Sequence, residues 1–191
     1  MKDQTFYNLS GKILIASPFV LFGDMFYKSV IYVLSHSAEG SVGIIVNHLV
    51  NHMAYKSIFK TSGDPDVASS EYVLPVYLGG PVEVERGFLL HSDEYTKNLL
   101  FTFKDNLAVS SNTEILKDIS QGSGPRNSIF VIGYTGWEAG QLEFEIENNF
   151  WVISEYDHEL IFSFENECKW KNALIRIGID NSHFVPQLGS S

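Results

Sequence analysis

Two short runs dense in β-branched residues constrain this chain more than any other feature: residues 29–35 (SVIYVLS) and 41–47 (SVGIIVN). Turn formers, His36-Ser37-Ala38-Glu39-Gly40, separate them, so the pair is expected to fold as a β-hairpin. Both runs are apolar at nearly every position rather than at alternate ones, which predicts strands covered on both faces. Such a hairpin needs other layers to cover it. The chain has 191 residues, 45% of them hydrophobic and 19% charged, enough for one core and too apolar for a disordered chain. A chain of this size buries roughly 70% of the surface it exposes when unfolded, so no disulfide or metal staple is needed.

The remaining elements follow from local pattern. Residues 11–17 (GKILIAS) read as a buried strand stopped by Pro18, and further strands are expected at 72–78, 86–91, 99–103, 107–110 and 127–134. A short helix is expected within 51–60 and an exposed loop at 61–70. Ser111 and Glu114 have capping-box spacing, with Ile115, Leu116 and Ile119 at helical spacing behind them and Gly122 as a stop. Residues 141–147 (QLEFEIE) alternate like a strand, yet Leu142, Ile146 and Phe150 also share one helical face. Acidic residues near the start and Asn148-Asn149 near the end decide for helix. A last helix is expected over 167–177, capped by Asn166, with Trp170, Leu174 and Ile177 inward and Gly178 closing it. Helices mixed among strands without a regular βαβ alternation indicate a single α+β domain over 1–191.

Charge narrows the partners. Thirteen basic against twenty-three acidic residues give a net charge of −10. Nucleic-acid affinity depends on neutralising phosphates with Lys and Arg, so nucleic acid is disfavoured, and an anionic membrane surface with it. One cysteine, Cys168, excludes an internal disulfide and fits a reducing compartment. With no basic segment leading into a long apolar run, no signal peptide is read, and a cytoplasmic, membrane-free protein is expected.

Several ordered motifs resemble the YqgE/AlgH family. They begin with Ile15-Ala16-Ser17-Pro18, Asp24, Phe26, Ser29-Val30-Ile31-Tyr32, His36, Glu39-Gly40 and residues 43–47. The central signature is Val76-Tyr77-Leu78-Gly79-Gly80-Pro81-Val82-Glu83 with Arg86-Gly87-Phe88 and Leu90-His91-Ser92. A third block holds Gly133-Tyr134, Gly136-Trp137 and Gly140-Gln141-Leu142-Glu143, and Trp151, Ile161-Phe162, Trp170, Ala173 and Gly178-Ile179 close the match. The resemblance implies a bacterial protein with a mixed, bifurcated sheet surrounded by helices, part of it closing into a small barrel. It implies no established reaction; some members carry a transcriptional-regulator label, which the net charge of −10 speaks against.

The candidate ligand-binding residues are Gly79, Gly80, Glu83, Arg86, His91, Tyr134, Trp137, Gln141 and Glu143. Glycines leaving a strand could expose a nest of amides for an anion, or could simply make a tight turn. Neither GxGxxG nor Gly-Lys-Ser/Thr occurs. Arg86 is suited to a carboxylate or phosphate; alternatively it pairs with a glutamate such as Glu143 to lock the turn. His36 and His91 both end apolar runs and could share one rim of the sheet, but no HxxxH or HExxH spacing supports a metal, so neither metal nor cofactor is assigned. No Gly-x-Ser-x-Gly elbow is present. Glu143 and Glu147 on one helical face read as solvated like charges, and Tyr134 with Trp137 as core packing or an aromatic ligand wall. The expectation is therefore a non-catalytic binding or regulatory protein for a small anionic ligand or a protein partner. The alternatives are a hydrolase acting on a small acyl or phosphate substrate through His91, and a transcriptional regulator.

Overall fold

The computed structural model describes residues 8–20, 23–54, 73–103, 105–111, 113–163 and 165–179. Ten strands run in chain order: β1 (Ile13–Ala16), β2 (Val30–Ser37), β3 (Gly40–Ile45), β4 (Leu49–Ala54), β5 (Val73–Leu78), β6 (Val82–Ser92), β7 (Phe101–Phe103), β8 (Leu107–Ser110), β9 (Ser128–Glu138) and β10 (Trp151–Ser154). Four helices are interspersed: α1 (Thr113–Ser120), α2 (Gln141–Glu147), α3 (His158–Phe162) and α4 (Asn166–Arg176). The strands follow the order β10-β1-β2-β3-β9-β6-β8-β7, with β4 on β5 and β5 on β9. Every pairing is antiparallel except β5 with β9.

The sheet forks at β9. Its C-terminal half pairs with β3, Ser41 opposite Trp137, while its N-terminal half lies between β5 and β6. Gly133 makes the change of direction at φ +69°, a region that disfavours side chains other than hydrogen. The Gly79-Gly80 turn is pressed against this bend. A Cβ at Gly80 would lie 2.2 Å from the Tyr134 carbonyl carbon, and one at Gly79 would lie 2.4 Å from the Gly133 oxygen. The Gly79 N–H donates to the Ile132 carbonyl and its own carbonyl accepts from Ile45, so this turn ties β3, β5 and β9 together.

The hairpin forms as expected, and more tightly: strand pairing continues through Ser37 opposite Gly40, leaving Ala38-Glu39 as a two-residue turn. β1 and the first half of β2 are buried at every residue, as continuous apolar runs require. α4 packs on β1 and β2, and the Trp170 indole donates to the Ala16 carbonyl at 2.6 Å. α2 is a helix, packed on β3, β9 and β10, with Leu142 fully buried. α4 starts one residue before the expected position; its N-cap is Glu165, without a side-chain capping bond. α1 starts at Thr113 and buries Ile115 and Leu116 against Leu74, Val76, Leu89 and Phe130.

Three expectations are corrected. Residues 51–54 belong to β4 rather than to a helix, because they pair with β5; positions 55–60 and the 61–70 loop lie outside the described residues. β6 and β9 extend well beyond 86–91 and 127–134. The sheet does not close into a barrel: β10 and β7 end the strand order, and no ladder joins them among the described residues. It is an open, curled sheet, a half-barrel whose concave face lies between β2–β3 and β6–β8–β7. Residues 83–86 form a wide bulge in β6, since Val82 pairs with Tyr134 and Gly87 with Ile132.

Candidate functional site

The nine candidate residues do not converge on one place; His91 stands apart, and the other eight separate into three groups. Gly79 and Gly80 are buried, and the backbone of β9 fills the space beside them. The tight close-approach alternative describes them, not an open anion nest.

His91 is fully buried. Its Nδ1 lies 2.9 Å from the Ser92 carbonyl, which can only accept, so Nδ1 carries the proton and Nε2 accepts from the Ser110 hydroxyl at 3.0 Å. Burial pushes its pKa below the usual histidine value, and Tyr95 meets the ring edge-on at 5.7 Å. His91 does not reach an exposed rim of the sheet: the ring is fully buried, and Ser110 of the neighbouring strand β8 occupies its Nε2.

A second group surrounds the C-terminal half of β9. Trp137 and Trp151 both donate their indole N–H to Glu145 Oε2, at 2.8 and 2.7 Å, while Gln141 donates to Oε1 at 2.9 Å. The two indoles meet edge-on at 6.1 Å. Glu143 does not reach Arg86; it lies 3.5 Å from Nε2 of His36, whose Nδ1 is 2.7 Å from the Ser41 hydroxyl. This carboxylate–imidazole–hydroxyl chain has the residue types of a nucleophile relay, yet Ser41 is only 5% exposed and stands opposite His36 across two paired strands. Register alone accounts for the contact. Glu145, the carboxylate that organises this group, was missed by a sequence reading that treated α2 as a solvated acidic face. An acidic residue one turn after Gln141 and close to two indoles in three dimensions leaves no signature in the linear order.

The third group lines a cavity. A half-open cavity of about 400 Å³ lies on the concave face between Leu34, Ser35, Val42 and Ile44 of the hairpin and Phe88, Phe103 and Val109 of the facing strands. Leu100 and Phe101 lie at its edge, 40% and 62% exposed. Three of the candidate residues complete the lining: Glu83, Arg86 and Tyr134. Arg86 Nη1 donates to Glu83 Oε2 at 3.1 Å, and the Tyr134 hydroxyl donates to Glu83 Oε1 at 3.3 Å. The guanidinium sits 5.1 Å from the centre of the Phe88 ring, which in turn meets Tyr134 edge-on at 6.2 Å. Desolvation, and then the Glu83 carboxylate, push the Tyr134 hydroxyl above its ordinary pKa. Sequence reasoning named the polar mouth of this cavity but not its apolar walls, whose residues are indistinguishable in type from core residues.

Among the described residues, no group of three His, Cys, Asp or Glu side chains is placed to hold a metal ion, and no helix is long and apolar enough to cross a membrane.

Comparison with known proteins agrees with this architecture. A family model described as AlgH-like matches residues 13–182. UPF0301 proteins from Rickettsia canadensis and Rickettsia typhi are 51% and 50% identical over 191 residues, covering all of both chains. The solution structure of the AlgH protein from Pseudomonas aeruginosa superposes with a TM-score of 0.73 at 28% identity, covering all of both chains. A crystal structure of a Corynebacterium diphtheriae protein superposes with a TM-score of 0.65 at 19% identity, covering 87% of this chain and 85% of that one. This last likeness concerns the fold alone.

Proposed function

The chain belongs to the AlgH-like family, and from that premise we propose that it is a non-catalytic binding protein whose ligand occupies the concave cavity of the half-barrel. One observation carries this reading: an apolar cavity of about 400 Å³ has its charged lining groups, among the described residues, gathered at one mouth. Cavities that bind small molecules are typically of this kind, roughly 300–1,000 Å³, mostly apolar, with a few convergent polar groups that orient the ligand. The hydrolase alternative loses support because His91 is enclosed with both ring nitrogens engaged. The net charge of −10 supports a small-molecule ligand over nucleic acid, and the lone cysteine supports a cytoplasmic setting.

The test is binding of the neutral, solvatochromic dye Nile red to wild type and to the double substitution Leu100→Asp/Phe101→Asp. Both side chains are exposed at the cavity edge, so the fold should survive. Wild type should bind the dye, and the variant should bind at least about ten-fold more weakly, as expected when charge enters an apolar mouth. Equal binding by the two proteins would remove the cavity as the site.

A further inference from the structure

Resting on that reading of the cavity, we propose that its mouth is a carboxylate receptor that the chain keeps filled with its own Glu83, and that the ligand is an amphipathic monocarboxylate which exchanges with this side chain.

Two donors from different strands converge on one carboxylate. Arg86, in the bulge of β6, donates to Oε2, and Tyr134, on β9, donates to Oε1. Both donors are positioned by contacts independent of Glu83, because the Phe88 ring stacks under the guanidinium and meets the Tyr134 ring edge-on. Removing Glu83 would leave the receptor assembled.

Glu83 itself is a poor permanent occupant. Its backbone has φ +49°, a conformation that disfavours residues other than Gly, Asn and Asp. The side chains of Glu83 and Arg86 are 41% and 53% exposed, so the pair is well screened by solvent. Exposed pairs of this kind shift an equilibrium by only about two- to five-fold. A carboxylate carried on an apolar body competes on better terms. It can take both donors while its body fills the cavity bounded by Leu34, Val42, Ile44 and Val109, which Glu83 leaves empty.

The polarity of the ligand head follows from the same geometry. A carboxylate replaces Glu83 like for like, and the freed Glu83 turns to solvent beside exposed Glu85. An ammonium would have to draw Glu83 away from both donors and leave Arg86 unpaired. Among the described residues, Arg86 is the only cation lining the cavity.

The experiment is calorimetric titration of the full chain with sodium decanoate and with 1-decanol, on wild type, Glu83→Gln, Arg86→Gln and Tyr134→Phe. Thermal unfolding of each variant verifies the fold. Wild type should bind decanoate more tightly than decanol. Glu83→Gln should bind decanoate about two- to five-fold more tightly than wild type, from loss of the competing carboxylate. Arg86→Gln should bind decanoate about ten-fold more weakly, the loss expected for a charge-assisted donor, and Tyr134→Phe should be weaker by a smaller factor. Decanol affinity should be the same in all four proteins. If decanol binds but decanoate affinity is unmoved by Glu83→Gln and Arg86→Gln, the exchange is overturned and the cavity reading stands. If neither amphiphile binds wild type, the cavity reading falls and takes the exchange with it.

Discussion

β9 serves two halves of one sheet that end in opposite conditions. On the side of β10-β1-β2-β3, helices α2 and α4 pack on the strands, and two charged side chains brought inside are hydrogen-bonded. Glu145 accepts from two indoles and an amide, and the buried Lys169 ammonium donates to the Val46 carbonyl at 3.1 Å and to the Ile161 carbonyl. On the side of β6-β8-β7, α1 covers one face, and the other faces an uncovered apolar cavity. Helices pack on the first half, while the concave space between β2–β3 and β6–β8–β7 leaves burial incomplete where a ligand could finish it. The comparison teaches that a single bend, at Gly133 against Gly80, connects the halves and sets the cavity between β2–β3 and β6–β8–β7 apart from the helix-packed region around Glu145 and Lys169.

The largest expected effect comes from attacking that bend. Gly80→Ala drives a Cβ to within 2.4 Å of three backbone atoms of Tyr134 and Thr135, at φ +153°. Because backbone rather than a flexible side chain must yield, the loss should reach about 3 kcal/mol or more. Thermal unfolding followed by circular dichroism should show a large fall in Tm, with both halves lost in one transition. Separate transitions would break the account of a shared junction.

A smaller effect sharpens the comparison. Glu145→Ala leaves two indole N–H groups and the Gln141 amide without their acceptor, which should cost about 2 kcal/mol in denaturant unfolding. Nile red binding should be unchanged, since Glu145 does not line the cavity. Loss of dye binding in a folded Glu145→Ala protein would couple the halves in a way the comparison denies.

The smallest effect has the opposite sign. Lys169 is 2% exposed, and burial lowers its pKa from 10.5 to about 8. At pH 7 it is protonated in both states, and the folded state bears the cost of a buried charge. As pH rises through about 8, the folded protein releases the proton before the unfolded chain does, so stability should rise toward pH 9.5 or so. Above ~10 the trend reverses, because burial first of all raises the hydroxyl pKa of Tyr32 and Tyr95, and that of Tyr156 to about 12. Lys169→Met should stabilise the protein by about 1 kcal/mol at pH 7 and flatten the rise above pH 8. A variant less stable than wild type at pH 7 would show that the two carbonyl contacts outweigh the burial of charge.

How far sequence reading reached follows the same division. The hairpin, β5, β8 and α4 were legible because their apolar spacing is local and strong, and α2 because its terminal acidic and Asn residues decided between two spacings. β10 and α3 were not: WVIS is four residues, and β10 becomes a strand only through pairing with β1, some 140 positions earlier. The extra length of β6 was hidden by exposed Glu83, Glu85 and Arg86, which belong to a bulge rather than to a turn, and that of β9 by Gly136, which reads as a break although the strand runs through it. Glu83, Arg86 and Tyr134 could be named from residue type, yet their separation from Trp137, Gln141 and Glu143 depends on the fork in β9. The cavity walls carried no signal, because curl, not composition, decides whether Val42 or Val109 faces a neighbour or a void.

The most direct test of the central claim is a map of backbone amide shifts in nuclear magnetic resonance spectra as decanoate is added to wild type. The account predicts changes at Leu34, Val42 and Ile44, along residues 83–88, at 100–103, and at Val109 and Tyr134, with the surroundings of Glu145 and Lys169 unmoved. Changes centred on α2 and β10, with the half-barrel face silent, would contradict it.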